Sequence, residues 1–283
     1  MIRIFTDTSA NLPEAIRQQF GIGVVPFSYS IEGKEIPADT PFDGKAFYEA
    51  MRNGANVKTS MVNMQTFLDE WEGLLQNGED ILYLSMSGGI SGTFQAATCA
   101  VQELSERYPN RKIAAVDTLA ASLGEGLQVI MIAEMARLGA DFEALQSKAR
   151  QLSRSIRQFF TVDDLKYLLR GGRVNRVSAA IGTVLKIKPV LKGNEEGKIV
   201  VCGKIRGRRQ SLNELARLYD AQAADKSSRV AIAHADAPEA AEELLLLLRE
   251  NGLTGECLTE CYEPVTGAHV GPGTVALFFF GEG

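Results

Sequence analysis

Short apolar runs alternate along the first half of the chain with segments whose apolar residues recur every three or four positions. Ile2 to Thr6 reads as a strand ending in Asp7-Thr8-Ser9. Asn11-Leu12-Pro13 follows, then a helix to about Phe20, with Asn11 or Ser9 as cap and Pro13 in the first turn. Gly23 to Ile31 is a second extended stretch, interrupted at Pro26. Helices are predicted from Phe42 to Arg52 and from Gln65 to Leu75, with Lys58-Thr59-Ser60 in a polar loop between them. Ile81 to Leu84 is a buried strand, Thr93 starts a helix (Phe94, Ala97, Val101, Leu104), and Ile113 to Val116 is a strand ending in Asp117-Thr118. A long helix runs from Ser122 to Arg137 and stops at Gly139. Another, from Asp141 to about Arg154, reads as a connector. This alternation predicts an α/β protein whose first part is a Rossmann-like parallel sheet with helices on both faces. Any site belongs at the carboxyl ends of its strands.

After Ile156 the pattern changes. Phe159-Phe160-Thr161 is extended, Asp163 to Leu169 is helical, and Arg170-Gly171-Gly172-Arg173 is a turn. Ile187 to Leu191 and Lys198 to Cys202 are spaced as a hairpin around Gly193-Asn194-Glu195-Glu196-Gly197. Strands follow at Val230 to Ala233, Glu256 to Cys261 and Thr274 to Phe280, with a helix from Pro238 to Arg249. These elements predict a second α/β domain with a mixed sheet. The boundary is placed at 155/156, giving domains 1–155 and 156–283.

Charge changes the picture in one place. The chain of 283 residues carries a net charge of −5, yet residues 148–217 hold 17 Lys/Arg against 5 Asp/Glu. One middle block thus carries a basic field on an acidic protein, fit for a phosphate or an acidic partner, or simply a solvated face. No aromatic residue lies between Lys186 and Arg217, which weakens a nucleic-acid reading. Cys99, Cys202, Cys257 and Cys261 form no CxxC pair and no metal spacing, so reduced cysteines, no metal and no cofactor are expected. Without a signal-peptide core or a membrane-length apolar run, a cytoplasmic location is expected.

The chemistry centres on Ser85-Met86-Ser87-Gly88-Gly89-Ile90-Ser91-Gly92-Thr93. A strand that passes through glycines and hydroxyls into a helix gathers free N–H groups and Ser/Thr oxygens where the helix dipole favours an anion. The same stretch could be a plain connection with Ser91 or Thr93 as N-cap. It lacks the lysine of a P-loop and the spacing of a dinucleotide fingerprint. Two histidines remain. His234 ends an apolar strand and reads as structural. His269 lies in Gly267-Ala268-His269-Val270-Gly271-Pro272-Gly273, where glycines allow close approach and Pro272 stiffens the turn, and reads as a ligand contact. Hydroxyls, glycines and one imidazole suit holding a carboxylate better than transforming it.

With these residues in hand, the chain resembles the DegV family over essentially its full length. The likeness rests on Asp7-Thr8-Ser9-Ala10-Asn11-Leu12-Pro13, Lys58-Thr59-Ser60, Gly89-Ile90-Ser91-Gly92-Thr93, Asp117-Thr118 and Tyr167-Leu168-Leu169-Arg170-Gly171-Gly172-Arg173, in order. It continues through Lys188-Pro189-Val190-Leu191, Lys204-Ile205-Arg206-Gly207 and His269-Val270-Gly271-Pro272-Gly273. Where Val62 stands, the family commonly has a proline.

The resemblance implies a two-domain α/β protein that binds a long-chain fatty acid between its domains. It implies presentation of the carboxylate to a separate kinase subunit, which makes acyl-phosphate for phospholipid synthesis. By motif, Thr59, Ser91 and His269 would hold the carboxylate, and Ser60, Gly92 and Thr93 would shape the loop. Arg170 and Arg173 would lie near the head group, the acyl-phosphate and the docking kinase. Phe27, Ile31, Phe94, Leu123 and Ile181 are candidates for an apolar tunnel. A ligand-binding subunit rather than an enzyme is expected. The alternatives are a lipid carrier with no kinase and a dihydroxyacetone-kinase-like enzyme with a covalent histidine.

Overall fold

A computed structural model describes residues 1–38, 40–174 and 187–282. The first sheet is parallel, in the order β2 (Gly23–Val25), β1 (Ile2–Asp7), β6 (Asp80–Ser85), β7 (Ile113–Asp117). Side chains alternate across it, as strand geometry requires. Ile4, Leu82, Leu84 and Val116 face α5 (Leu123–Arg137) and α6 (Phe142–Ser155). Phe5, Ile81 and Tyr83 face α3 (Met64–Gln76) and α4 (Thr93–Arg107), around a fully buried Trp71. Full burial on both faces explains why these strands read as continuous apolar runs.

The second sheet has six strands in the order β10 (Ile199–Arg206), β9 (Ile187–Gly193), β8 (Ile156–Thr161), β13 (Val275–Phe280), β11 (Val230–His234), β12 (Cys257–Cys261). Only the β11–β12 pairing is parallel, so the sheet is mixed. Its outer face packs on α8 (Arg208–Gln222) and α9 (Pro238–Glu250). Its inner face turns Phe160, Leu191, Ala276 and Phe278 toward Leu123 and Leu127 of α5. Helix α5 is therefore covered on both sides. A Cβ on its Gly124 would stand 2.7 Å from the Phe278 ring, and one on Gly126 2.6 Å from the Ala10 carbonyl. Glycine at these two places lets both neighbours reach the helix backbone. The fold is thus the α/β arrangement expected, with a parallel four-stranded and a mixed six-stranded sheet.

Several local expectations are corrected. The extended stretch from Gly23 splits, and β3 (Ser28–Ile31) joins a separate antiparallel sheet with β4 (Lys34–Ile36) and β5 (Val57–Ser60). Lys58-Thr59-Ser60 is thus a strand, not a loop; with Val57 its only apolar residue, the run is too short to show a period. The glycine-rich stretch around His269 is a short helix, α10 (Pro264–Val270), started by Pro264 and capped by Glu263. Gly267 hid it from propensity, but a Cβ there would stand 2.1 Å from the Tyr48 hydroxyl. Helix α8, unassigned from the sequence, opens on Arg208 and Arg209 and buries Leu212, Leu215, Ala216 and Tyr219 on one face. The helix expected from Asp163 contracts to α7 (Lys166–Arg170). The first helix, Glu14–Phe20, has Pro13 at its N-cap position and no side-chain cap from Ser9 or Asn11, while Asp7 caps the 3-10 turn after β1.

Candidate functional site

The site forms where loops from the first sheet meet strands of the second. After β6 and β7 the chain enters two neighbouring loops, bridged by Asp117, whose carboxylate accepts from Gly88 N (3.1 Å) and Leu119 N (2.8 Å). Burial raises the Asp117 carboxyl above the usual range, against the pull of those two bonds. The β9–β10 hairpin turn presses on the first loop. Ser87 Oγ donates to Gly197 O at 2.9 Å and accepts from Gly89 N at 3.1 Å. From β8, Gln158 donates to Leu119 O (2.7 Å) and accepts from Ala121 N (3.3 Å). It thereby braces a segment in which Leu119 and Ser122 both have positive φ.

These contacts enclose a cavity with about 810 Å³ of non-atom space, open mouth included. Much of its wall is apolar, with Phe27, Met86, Ile90, Phe160, Leu168 and Phe278. Thr59, Ser91, His269 and Arg173 line the same space, so the structure brings all four together. Thr59 Oγ1 and His269 Nε2 lie 2.8 Å apart, joining β5 to α10. Ser91 Oγ accepts from Thr93 N (3.2 Å) and pairs with Thr93 Oγ1 (2.9 Å) just before α4. Thr93, fully buried, also accepts from Val62 N (3.3 Å), so its hydroxyl ties the β5–α3 loop to the start of α4. Gly92 is the N-cap; a Cβ on it would lie 2.7 Å from the Met61 sulfur. Ser60 is exposed and outside the cavity wall, its backbone paired with Ser28.

Electrostatics divide the labour at the polar end. Burial, and then the Arg173 and Arg170 guanidiniums, push His269 down to about 4, so at neutral pH its imidazole is neutral. The positive charge in the cavity wall is Arg173, half-buried, its guanidinium donating to Ile90 O (3.2 Å) and to Gly171 O. Among the described residues no carboxylate pairs with it. Arg170 is exposed, over the Tyr167 ring at 5.6 Å, and outside the cavity wall. His234 accepts from Ala237 N through Nδ1 at 3.3 Å, a structural bond. Of the tunnel candidates, Phe27 lines the cavity, whereas Ile31, Phe94 and Leu123 pack elsewhere; Ile181 lies outside the described residues. Gln158, absent from the sequence reading, had a signal. It sits between Ile156 and Phe160 on one face of β8, a polar residue on an otherwise apolar face.

An apolar cavity with one cation, one neutral imidazole and two hydroxyls at one end is a geometry that comparison can weigh. The model of the DegV family, described as "Uncharacterised protein, DegV family", matches residues 1–282. The chain belongs to the DegV family. A DegV domain-containing protein of Clostridium perfringens, CPE0026, is 36% identical over 282 residues, covering 99% of this chain and 97% of the relative. Among solved structures, a DegV protein from Thermus thermophilus described by its fatty acid binding superposes with a TM-score of 0.90 at 30% identity, covering 99% of both chains. The fatty acid binding DegV protein SAG1342 of Streptococcus agalactiae gives 0.87 at 34% identity, covering 100% of this chain and 99% of that one. The two-domain DegV architecture is accordingly the architecture of this chain. No helix among the described residues is long and apolar enough to cross a membrane.

Proposed function

We propose that this DegV chain binds a long-chain fatty acid in the cavity between two domains, 1–155 and 156–283, and presents its carboxylate to a separate kinase subunit for acyl-phosphate formation. One observation carries the reading: Thr59, Ser91, His269 and Arg173 line a single, otherwise largely apolar cavity. Arg173 supplies the counter-charge, and Thr59, Ser91 and neutral His269 supply hydrogen bonds that fix the carboxylate. Gly92, Thr93 and Ser60 act on the loops around it. Arg170, exposed beside the cavity, faces the approaching phosphate donor. On this reading the chain is not itself an enzyme, acts in the cytoplasm, and serves phospholipid synthesis through its partner.

Magnitudes assign affinity and placement to different parts. Burying ~15 methylenes at ~0.8 kcal/mol each is a gross gain of roughly 12 kcal/mol, from which association subtracts ~4 kcal/mol or more. A hydrogen bond to the carboxylate is worth ~1.5–3 kcal/mol. The acyl chain therefore supplies most of the affinity, and the polar end decides where the reacting oxygen sits. Ser91→Ala should weaken fatty acid binding about tenfold and reduce acyl-phosphate formation further. Loss of all lipid from a folded Ser91→Ala protein would refute this division.

The direct test is mass spectrometry of the purified protein, first native, then denatured with organic extraction. A stoichiometric excess that extracts as a fatty acid is the expected result. An excess that stays on the polypeptide would point to a covalent histidine adduct. No excess, followed by failure to take up added fatty acid, would overturn the proposal.

A further inference from the structure

His269 reaches the cavity on α10, only seven residues long, so its position is set by whatever holds the turn before that helix. Three consecutive residues of this turn are gripped by side chains of the first domain. Asn11 Nδ2 donates to Cys261 O at 3.1 Å, the Tyr48 hydroxyl donates to Tyr262 O at 2.8 Å, and Asn11 Oδ1 accepts from Glu263 N at 3.0 Å. Glu263 in turn caps α10, accepting from Val265 N and Thr266 N at 2.6 Å each.

Asn11 is itself fixed. It closes the 3-10 turn after β1 with φ 56, and its N–H donates to Thr8 O at 3.2 Å. Asp7 anchors that turn, accepting from Ser9 N (3.0 Å), Ser9 Oγ (2.5 Å), the Tyr83 hydroxyl (2.7 Å) and Met86 N (3.2 Å). Helix α5 packs against the adjacent Ala10 carbonyl. The motif from Asp7 to Asn11 touches none of the polar end directly. It is a bracket from the first sheet to the turn that launches the His269 helix. Asn suits the place because it tolerates a left-handed backbone and carries both a donor and an acceptor.

We infer that Asn11 is a positioning residue for the carboxylate site: its side-chain amide sets α10, and with it the 2.8 Å approach of His269 Nε2 to Thr59. This rests on the proposal that His269 contacts the ligand carboxylate, but its first readout does not. In ligand-free protein, the imidazole nitrogen resonances of His269 report the Thr59 contact.

Asn11→Gly keeps the left-handed backbone accessible and removes both amide contacts. It should shift the His269 Nε2 resonance toward that of a free imidazole while the protein stays folded. Asn11→Asp keeps the acceptor for Glu263 N and should restore part of the shift. In the complex with carboxyl-labelled palmitate, Asn11→Gly should move and broaden the 13C-carboxyl resonance, while affinity changes less than tenfold. Unchanged His269 resonances in folded Asn11→Gly overturn the inference, as does a lowered melting temperature with no change at His269, the mark of a merely structural role. Asn11→Asp is also the fallback should Asn11→Gly not fold: it loses the amide donor and sets a carboxylate against the Cys261 carbonyl, so unchanged His269 resonances there overturn the inference equally. Altered His269 resonances together with no palmitate uptake by the wild type would retain the positioning role and overturn the fatty acid reading instead.

Discussion

Replacing His269 with glutamine isolates the electrostatics of the cavity. Burial and two guanidiniums hold the imidazole at about 4, against 6.5 for an ordinary histidine. The unfolded chain takes up this proton first, so the contribution of His269 to stability is complete above pH 6.5 and is lost as the pH falls through 4. At ~1.4 kcal/mol per pH unit, the gap corresponds to roughly 3 kcal/mol. Other groups run the opposite way. Glu263, pushed up to about 7 by burial, stabilises below pH 4.5 and loses that contribution as the pH rises through 7. Burial also raises the Asp7 and Glu125 carboxyls, which share hydrogen bonds to Ser9. A single stability curve would mix these slopes. The difference between wild type and His269→Gln, measured by urea denaturation at half-unit steps from pH 4 to 7, removes what the two share. It should fall by roughly 3 kcal/mol as the pH drops across the window. A flat difference would mean that His269 is solvated and free to charge, and the neutral-imidazole argument would be wrong.

Two further substitutions test the walls of the site. Gly197 has φ 68, and a Cβ there would stand 2.0 Å from Ser87 Oγ; Gly197→Ala should cost about 1–3 kcal/mol and loosen the hairpin, read as a lower melting temperature and faster hydrogen exchange at Gly89. An unchanged melting temperature would mean that the hairpin does not bear on the loop. Trp71 is fully buried against Phe5, Phe67 and Tyr83 and does not line the cavity. Trp71→Ala should cost about 3–5 kcal/mol while leaving fatty acid affinity of the folded protein within a few-fold, as denaturation and binding titrations can check.

The legible part of this molecule was the part written in periodicity. Parallel strands buried on both faces give apolar runs, and Ile81 to Leu84 or Val275 to Phe280 could hardly be read otherwise. Helix α8 was missed because an Arg-rich start and a single narrow apolar face leave little signal. Helix α10 was missed because its glycine answers to Tyr48, more than two hundred positions away in the chain. Likewise the residues that would hold a carboxylate could be named from hydroxyls, glycines and a histidine in order, but not their relation. That Thr59 meets His269, or that Arg173 rather than Arg170 lines the cavity, depends on how β5, α7 and α10 converge. The Asp7–Asn11 motif was visible as a pattern, and its grip on Cys261 and Glu263 was not.

Helix α5 belongs by sequence to the first domain, yet one side of it completes the hydrophobic interior of the second. The seam between the domains is therefore not a plane of weakness. Drawing the sheets apart would strip Leu123 and Leu127 from Phe160 and Phe278, exposing apolar surface at ~25 cal/mol per Å². Helix α5 thus serves as common core to both sheets, and whatever disorders it disorders both.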